Sequence, residues 1–322
     1  MTYSRIAGTG GYLPAKVLTN HDLEKIVDTS DDWIRERTGI KRRHIAAEGE
    51  ATSDLALAAA SQALDMAGVD ADEINLIIIA TTTPDKVFPA TACIVQRRLG
   101  IRGCGAFDVQ AACSGFVYAL DLADRYIRTG AAKNVLVIGA ETLSRVTNWE
   151  DRTTAVLFGD GAGAVVLQEA DEPGILSTHI HSDGQYEDLL QVPHGISSGY
   201  DVTRAGEAFI QMNGNAVFRR AVATLDSIAR ETLDKNNIDK HDIDWFVPHQ
   251  ANMRIISAAA KKLDMPMERV IVTVDEHANT SAASIPLALD VAVRDGRIKR
   301  GELLLFEAFG AGFTWGSTLL RF

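Results

Sequence analysis

Along the chain, the spacing of apolar residues changes repeatedly between the period of a strand and the period of a helix. In the segment "FDVQAACSGFVYALDLADRYI" (107–127), the residues between Phe107 and Val109 follow a strand-like pattern. After Cys113 the apolar side chains recur at the spacing of a helix. The same succession of strand and helix patterns runs through most of the sequence. It predicts an α/β protein with mainly parallel strands that are covered by helices.

The order of strand and helix patterns is repeated in the two halves of the chain. Residues 64–80 ("LDMAGVDADEINLIIIA") and 233–249 ("LDKNNIDKHDIDWFVPH") both read as a helix end, a Gly or Asn stop, an Asp-rich turn and an apolar strand, at an offset of 169 residues. At that offset "ALD" of 119–121 meets "ALD" of 288–290. Because the matching segments follow the same order in both halves over most of the chain, the sequence favours an internal duplication. We expect halves at 1–170 and 171–322, joined near "QEADEPG" (168–174), with 182–206 as an insertion that contributes substrate contacts.

Composition narrows the functional classes. The 322 residues carry a net charge of −11, which disfavours a broad nucleic-acid surface. No targeting segment and no apolar run long enough to cross a membrane is apparent, so we interpret the protein as cytoplasmic. "GDGAGA" (159–164) leads into a strand and fails the dinucleotide pattern. "HIH" (179–181) lacks a convincing third ligand, and we expect no metal.

Cys113 is the candidate nucleophile. It lies where a strand passes into a helix, and the free N–H groups and dipole at a helix N-terminus would favour a thiolate. The alternative is a small buried apolar residue, which is the commoner role of a free cysteine. Cys93 and Cys104 lack this placement, and we assign both to packing.

Two residues could assist a nucleophilic thiol. His249 directly follows the strand 245–247, and Asn279 precedes the helix that the duplication pairs with the helix after Cys113. Strand ends in α/β folds collect reacting groups. Each residue also has an ordinary structural interpretation: His249 as a hydrogen-bonded turn residue, and Asn279 as a helix cap.

Four motifs together resemble one family. "AACSGF", "VPHQANMRII", "HANTSAASIP" and the terminal "FGAGFTWGS" are similar to β-ketoacyl-acyl-carrier-protein synthase III, and the resemblance runs from "GTGGYLP" to the last residue. It implies the thiolase fold, a duplicated five-layered α-β-α-β-α sandwich with mixed, mainly parallel sheets. Elongating synthases carry Cys-His-His and thiolases a second cysteine. Plant-type polyketide synthases share Cys-His-Asn, but "VDTSDDWIRERTGIKRRHI" (27–45) resembles the bacterial synthase.

The resemblance also implies a mechanism. Cys113 would accept a short acyl group, by default acetyl, from coenzyme A. His249 and Asn279 would then stabilise the enolate formed when malonyl-acyl-carrier-protein loses CO2. The N–H groups of Cys113 and Ala311 would form the oxyanion hole, although many relatives have glycine where this chain has Ala311. No cofactor is expected beyond the acyl-coenzyme A substrate.

Further residues are assigned by the same resemblance. Phe88 would reach across a homodimer to limit the partner's primer pocket. Coenzyme A would be bound by a set of residues from four segments: Trp33, Arg37, Thr38, Arg152, Gly214, Asn215, Phe218 and Asn252. The acidic carrier protein would dock on a basic patch made of Arg219, Arg220, Arg254, Lys261 and Lys262. For Trp33 with Arg37, an ordinary i, i+4 helix contact is the alternative, and a solvated helix face is the alternative for the basic patch.

Three other activities stay open on sequence alone. The chain could be a related condensing enzyme of a specialised polyketide or quinolone-type pathway. A papain-like Cys-His-Asn thioester hydrolase is a second possibility, although the local signatures of that class are absent. A carrier-protein-binding relative that has lost turnover is a third.

Overall fold

The computed structural model describes residues 2–201 and 208–322. Residues 202–206 of the expected insertion therefore lie outside the described residues. The strands are β1 (Tyr3–Tyr12), β2 (Lys16–Thr19), β3 (Arg42–Ile45), β4 (Leu76–Ala80), β5 (Gly105–Val109), β6 (Asn134–Thr142), β7 (Asp160–Ala170), β8 (Ile175–Ser182), β9 (Leu190–Gln191), β10 (Gln211–Met212), β11 (Trp245–Pro248), β12 (Leu303–Gly310) and β13 (Thr314–Arg321).

The α-helices in the described part of the chain are α1 (Asn20–Leu23), α2 (Asp31–Thr38), α3 (Thr52–Ala67), α4 (Thr91–Arg98), α5 (Gly115–Arg128), α6 (Arg152–Ala155), α7 (Gly214–Asn236), α8 (Met253–Lys262), α9 (Val274–His277) and α10 (Ser284–Arg294). None of these helices is long and apolar enough to cross a membrane.

Two large sheets form the framework. The first has the order β1-β7-β6-β4-β5 and the second the order β11-β12-β13-β8. Parallel pairing joins β4 to β5, β4 to β6 and β11 to β12, whereas β1, β7, β8 and β13 pair antiparallel to their neighbours. Four of the five strands of the first sheet and three of the four strands of the second run in one direction, so the sheets are mixed and mainly parallel, as expected. The three residues between β12 and β13 allow only a hairpin, because a parallel crossover needs a dozen residues or more.

The duplication predicted from the sequence is visible in the fold. An offset of 169 carries the start of β4 onto that of β11, the start of α5 onto that of α10, and the start of β6 onto that of β12. The 3₁₀ turn Ala112–Ser114 falls on the turn Ser281–Ala283. Their first residues share a left-handed backbone, with φ of 45° at Ala112 and 50° at Ser281. The two halves therefore meet through equivalent turns.

The layers follow from alternation along buried strands. In β4, Ile77 and Ile79 pack against the outer helices α3 and α4, while Ile78 faces the central helices α5 and α10. In β12, Leu304 and Phe306 face the same central core, and the intervening residues face α7 and α8. Side chains of a strand alternate between faces, so each central strand contributes to two cores. The result is the expected five-layered α-β-α-β-α sandwich.

Candidate active site

Cys113 lies in the tight turn before α5. The helix begins at Gly115, so the thiol precedes the first helical residue instead of belonging to the helix's first turn. A left-handed Ala112 sets the direction of the turn, and Cys113 is buried, with 6% of its surface exposed. Cys93 and Cys104 are half-buried; the Cys93 thiol donates to the Ala106 carbonyl oxygen of β5 (3.6 Å), and the Cys104 sulfur accepts from the Gln96 side-chain amide of α4 (3.1 Å).

The thiol is neutral in this environment. Burial raises the pKa of the Cys113 thiol to about 12, although its own N–H and the Ser281 side chain act in the opposite direction. The expectation that the helix end would favour a thiolate in the resting protein was therefore wrong. A helix end supplies a partial charge that acts within one turn, whereas loss of water opposes the full charge of the thiolate.

His249 follows β11 and is held at two points. Its backbone N–H donates to the Glu307 carbonyl oxygen (2.8 Å), and its Nδ1 lies 2.7 Å from Ser284 Oγ. The Gln250 backbone N–H also donates to Ser284 Oγ (3.3 Å). The hydroxyl has one hydrogen and no other acceptor for it lies within hydrogen-bond distance in the described structure, so we assign the hydroxyl as donor to Nδ1. The ring proton then lies on Nε2.

The imidazole of His249 is uncharged. Burial lowers the pKa of His249 to about 3. Its Nε2 is buried without a hydrogen-bond partner among the described residues. A neutral ring with a free N–H can donate to a substrate oxygen. A thiolate-imidazolium pair of the papain kind is strongly disfavoured, since the pKa of Cys113 is raised and that of His249 is lowered.

Asn279 is oriented by the turn that follows it. Its side-chain Oδ1 accepts from the backbone N–H of Ser281 (2.9 Å), which leaves the Nδ2 amide as its donor group. Its backbone N–H donates to the Leu157 carbonyl oxygen (2.9 Å), so the residue is fixed to the first half of the chain. Both Asn279 and His249 therefore present hydrogen-bond donors.

The glycine-rich turn after β12 contacts the Cys113 turn directly. A Cβ atom added to Gly310 would lie 2.7 Å from the Cys113 backbone nitrogen, so only glycine fits. The Thr314 hydroxyl donates to the Ala111 carbonyl oxygen (3.0 Å) and ties the two turns together. The backbone φ of Ala311 is not in the left-handed region, so alanine is accommodated there without strain.

A cavity of about 880 Å³ opens beside the thiol. Its walls include Cys113, Leu143, Phe158 and Ile210, together with several residues of the expected insertion such as Leu190. Apolar walls beside a thiol suit an acyl chain.

The comparisons with known proteins agree with this architecture. The family model for 3-oxoacyl-[acyl-carrier-protein (ACP)] synthase III matches residues 107–184, and the model for its C-terminal part matches residues 233–322. A β-ketoacyl-[acyl-carrier-protein] synthase III of Thioalkalivibrio sulfidiphilus is 67% identical over the full length of both chains. The chain belongs to the 3-oxoacyl-[acyl-carrier-protein] synthase III family.

Solved structures extend the agreement to the fold. The synthase III structure from Aquifex aeolicus VF5 is 50% identical, with a TM-score of 0.94, over 99% of this chain and 100% of that chain. The priming β-ketosynthase of the R1128 polyketide pathway is 36% identical, with a TM-score of 0.95, over 99% of this chain and 96% of that chain.

The structure brings most of the expected coenzyme A residues to one region. The guanidinium carbons of Arg37 and Arg152 each lie 4.6 Å from the centroid of the Trp33 ring. The Asn252 side chain donates to the Arg37 carbonyl oxygen (3.2 Å), which joins α2 to the start of α8. The i, i+4 contact considered as an alternative for Trp33 and Arg37 is therefore present, and Arg152 adds a second cation to the same ring.

The start of α7 lies next to this region. Gly214 and Asn215 are exposed, and Phe218 is half-buried with the Arg254 guanidinium 5.3 Å from its ring centroid. Thr38 does not fit its assigned role, because it is buried. Its hydroxyl donates to the Ile34 carbonyl oxygen (2.7 Å) and accepts from the Ile40 N–H (3.0 Å).

The expected basic patch is divided in the structure. Arg219, Arg254 and Lys261 are exposed. Arg220 instead stacks on the Tyr186 ring at 4.1 Å and lies 3.6 Å from the Asp183 carboxylate, so packing and charge pairing occupy it. Lys262 is exposed but lies 3.9 Å from an Asp226 carboxylate oxygen. Arg220 is therefore removed from the docking patch.

Phe88 lies in the loop between β4 and α4, with 83% of its surface exposed. Its neighbour Val87 is 55% exposed. Adjacent exposed apolar side chains of this size are typical of an interaction surface.

Sequence reasoning missed three polar residues around the reacting groups. Ser284 contacts the His249 ring, and Ser281 lines the cavity beside Cys113. The charge of the buried Glu141 contributes to the raised pKa of the Cys113 thiol. A signal for Ser281 existed, because the repeat offset of 169 aligns it with the residue before Cys113. A signal for Glu141 existed as well, because it is the one charged residue in the strand Asn134–Thr142.

Proposed function

We propose that this chain catalyses the decarboxylative condensation of a short acyl-coenzyme A with malonyl-acyl-carrier-protein. The products are a 3-oxoacyl-acyl-carrier-protein, coenzyme A and CO2. The observations that carry the proposal are a buried thiol that lines a cavity and two buried side chains, His249 and Asn279, that each keep a neutral N–H donor free among the described residues. Family membership supplies the substrate classes, and short acyl groups such as acetyl are the proposed primers.

In the first half-reaction the Cys113 sulfur attacks the acyl thioester. The thiol proton passes to the departing sulfur of coenzyme A, so the products are acyl-Cys113 and the free coenzyme A thiol. The N–H groups of Cys113 and Ala311 would stabilise the oxyanion formed during this transfer. The chemistry as proposed uses no metal or organic cofactor.

In the second half-reaction malonyl-acyl-carrier-protein loses CO2. Negative charge then develops on its thioester oxygen, where His249 and Asn279 donate hydrogen bonds. The enolate carbon attacks the acyl group on Cys113, and the cysteine sulfur leaves with the electron pair of the broken thioester bond and takes up a proton from solvent, which restores the neutral thiol. A cationic histidine is not required, in agreement with the lowered pKa of His249.

Binding partners follow from the same assignment. Coenzyme A would stack near Trp33 and Arg152. The carrier protein would dock near Arg254 and Lys261. We propose a homodimer in which the exposed Phe88 enters the partner's primer pocket, and a cytoplasmic location, where both substrates occur.

One assay tests the function. Purified protein is incubated with acetyl-coenzyme A and malonyl-acyl-carrier-protein, and the products are followed by mass spectrometry. We expect 3-oxobutanoyl-acyl-carrier-protein and CO2, and no condensation product with Cys113→Ala. Release of acetate without condensation would instead support a thioester hydrolase. Strong preference for a longer primer would favour a specialised pathway, of the kind served by the R1128 priming synthase.

A further inference from the structure

The loop after β11 contains a glutamine side chain, Gln250, with 1% of its surface exposed. Its Nε2 donates to the carbonyl oxygens of Pro248 (2.8 Å) and Ile271 (3.0 Å). Its Oε1 accepts from the backbone N–H groups of Thr273 (2.8 Å) and Val274 (3.1 Å). Carbonyl oxygens face one end of the amide and N–H groups the other, which fixes its orientation. All four hydrogen-bonding positions of the amide are therefore used.

Regular strand pairing explains why a side chain is needed at this point. The segment that precedes α9 begins to pair in parallel with β11, and its Ile271 N–H donates to the Phe246 carbonyl oxygen (2.8 Å). The next bonds of a parallel ladder would join residue 248 to Ile271 and Thr273. Pro248 has no N–H, so it cannot donate to the Ile271 carbonyl oxygen. The Gln250 amide occupies this position and bonds both segments, as an inserted peptide group would.

Each of the two segments that this amide joins carries one of the donor side chains. On one side, His249 directly follows Pro248. On the other side, the two N–H groups bound by Oε1 lie at the start of the single turn α9. This turn leads through Ala278, which has a left-handed backbone (φ 59°), to Asn279. The Ala278 N–H donates to the Val274 carbonyl oxygen (3.0 Å), so the path from the amide to Asn279 is one closed helical turn.

Cys113 is held by other contacts. Its turn is tied to the glycine-rich turn after β12, where the Thr314 hydroxyl donates to the Ala111 carbonyl oxygen (3.0 Å). None of the four partners of the Gln250 amide belongs to either turn. A change at Gln250 should therefore affect the two donors and leave the nucleophile in place.

We propose that Gln250 is a positioning residue for decarboxylation: its side-chain amide fixes the His249 and Asn279 donors relative to each other, so that both bond the oxygen on which enolate charge develops. It acts through the backbone, since it is buried and is not among the described residues that line the cavity beside Cys113. Donor placement matters because a misplacement of about 1 Å can lower a rate by about 100-fold. The proposal rests on the function proposed above and adds a residue to it.

The experiment compares Gln250→Met and Gln250→Glu with wild type in each half-reaction, between pH 5.5 and pH 8.5. Gln250→Met keeps the length of the side chain and removes all four hydrogen bonds. Gln250→Glu keeps the two accepted bonds, but an ionised carboxylate has no hydrogen for the carbonyl oxygens of Pro248 and Ile271. The protonated form can donate to one of them.

Gln96→Met and Gln96→Glu are the matched controls. The Gln96 side-chain amide also donates to a backbone carbonyl oxygen, that of Cys104 (2.8 Å), and α4 carries none of the reacting groups. Both control variants should match wild type in both half-reactions.

We expect Gln250→Met to slow CO2 release from malonyl-acyl-carrier-protein by about 10- to 100-fold at every pH, with little change in KM. Acyl-Cys113 should form at nearly the wild-type rate. Gln250→Glu should match Gln250→Met at pH 8.5 and recover towards wild type at pH 5.5, because burial raises the pKa of a carboxyl group and the protonated form restores a donated bond. Titratable groups on the neighbouring elements, such as Glu307 and Asp275, are the same in both variants. The ratio of the two rates therefore isolates the introduced carboxyl group.

Hydrogen exchange gives a second readout that needs no substrate. The N–H groups of Thr273 and Val274 lose their acceptor in Gln250→Met, so the peptide that contains them should exchange faster than in wild type. The peptide that contains Cys113 should exchange at the wild-type rate, and so should both peptides in Gln96→Met.

Wild-type decarboxylation in Gln250→Met would overturn the proposal. An equal loss in both half-reactions would do so as well, because it indicates general distortion, and so would a raised KM with unchanged kcat, which indicates carrier docking. If wild type itself releases no CO2, the proposed function fails, and unchanged hydrogen exchange in Gln250→Met would separately disprove the link between the two segments. If Gln250→Glu does not fold at high pH, as judged by circular dichroism, the results for Gln250→Met decide alone.

Discussion

The assignment of the His249 proton to Nε2 leads to a sharp prediction for Ser284→Ala. The variant removes the hydroxyl that lies 2.7 Å from Nδ1 and leaves the rest of the ring's surroundings in place. His249 and Ser284 are both buried, so water does not readily replace the lost bond. An unpaired buried polar group costs about 1–3 kcal/mol. If the whole cost falls on the second half-reaction, that range corresponds to about a 5- to 150-fold loss of rate.

We therefore expect Ser284→Ala to decarboxylate malonyl-acyl-carrier-protein about 5- to 150-fold more slowly than wild type. Acylation of Cys113 should be nearly unchanged, because His249 neither accepts nor gives up a proton in that step as proposed. The assay follows CO2 release and, separately, the mass of the acyl-enzyme.

Ser4→Ala is the matched control. It also deletes a buried serine hydroxyl, one that donates to Asp124 (2.6 Å) and has no contact with His249 or Ser284. Its loss of thermal stability should be similar, without a change in decarboxylation. Undiminished decarboxylation in Ser284→Ala, or an equal loss in both half-reactions, would refute the tautomer assignment.

Four further predictions follow from the site. Asn279→Ala should slow decarboxylation by about 100-fold or more while acyl-Cys113 still forms, as intact mass would show. Gly310→Ala should cost about 1–3 kcal/mol of stability and suppress acylation, because the new Cβ meets the Cys113 nitrogen at 2.7 Å; Gly184→Ala, with open space around it, should do neither. His249 has a folded pKa of about 3 against an ordinary 6.5, so the unfolded chain takes up its proton first as pH falls. Neutral His249 contributes fully to the free energy of unfolding above pH 6.5, and this contribution is lost as the pH falls towards 3, by up to about 1.4 kcal/mol per pH unit. Denaturant titrations at several pH values should show this decrease for wild type and not for His249→Gln. Arg254→Glu should raise the KM for malonyl-acyl-carrier-protein at low salt, with a smaller effect at high salt; an unchanged KM would exclude a docking role.

The repeated framework was predictable because it depends on local pattern. Strand and helix periods, Gly and Asn stops, and the offset of 169 residues all reflect backbone rules that act over short distances. They located the turn before α5 and the strand before His249 to within one or two residues. They also indicated mainly parallel sheets, although which single strand of each large sheet runs in the opposite direction depends on how far each connection can reach.

The chemistry of the reacting groups was decided by tertiary structure. Sequence placed Cys113 near a helix end and suggested an easily ionised thiol, but packing from both halves buries it and raises its pKa. The same packing lowers the pKa of His249 and places Ser284, which is 35 residues away, against its ring. Thr38 and Arg220 turned inward for comparable reasons. Local pattern determines where the chain turns, whereas exclusion of water and partners distant in sequence determine which groups carry charge.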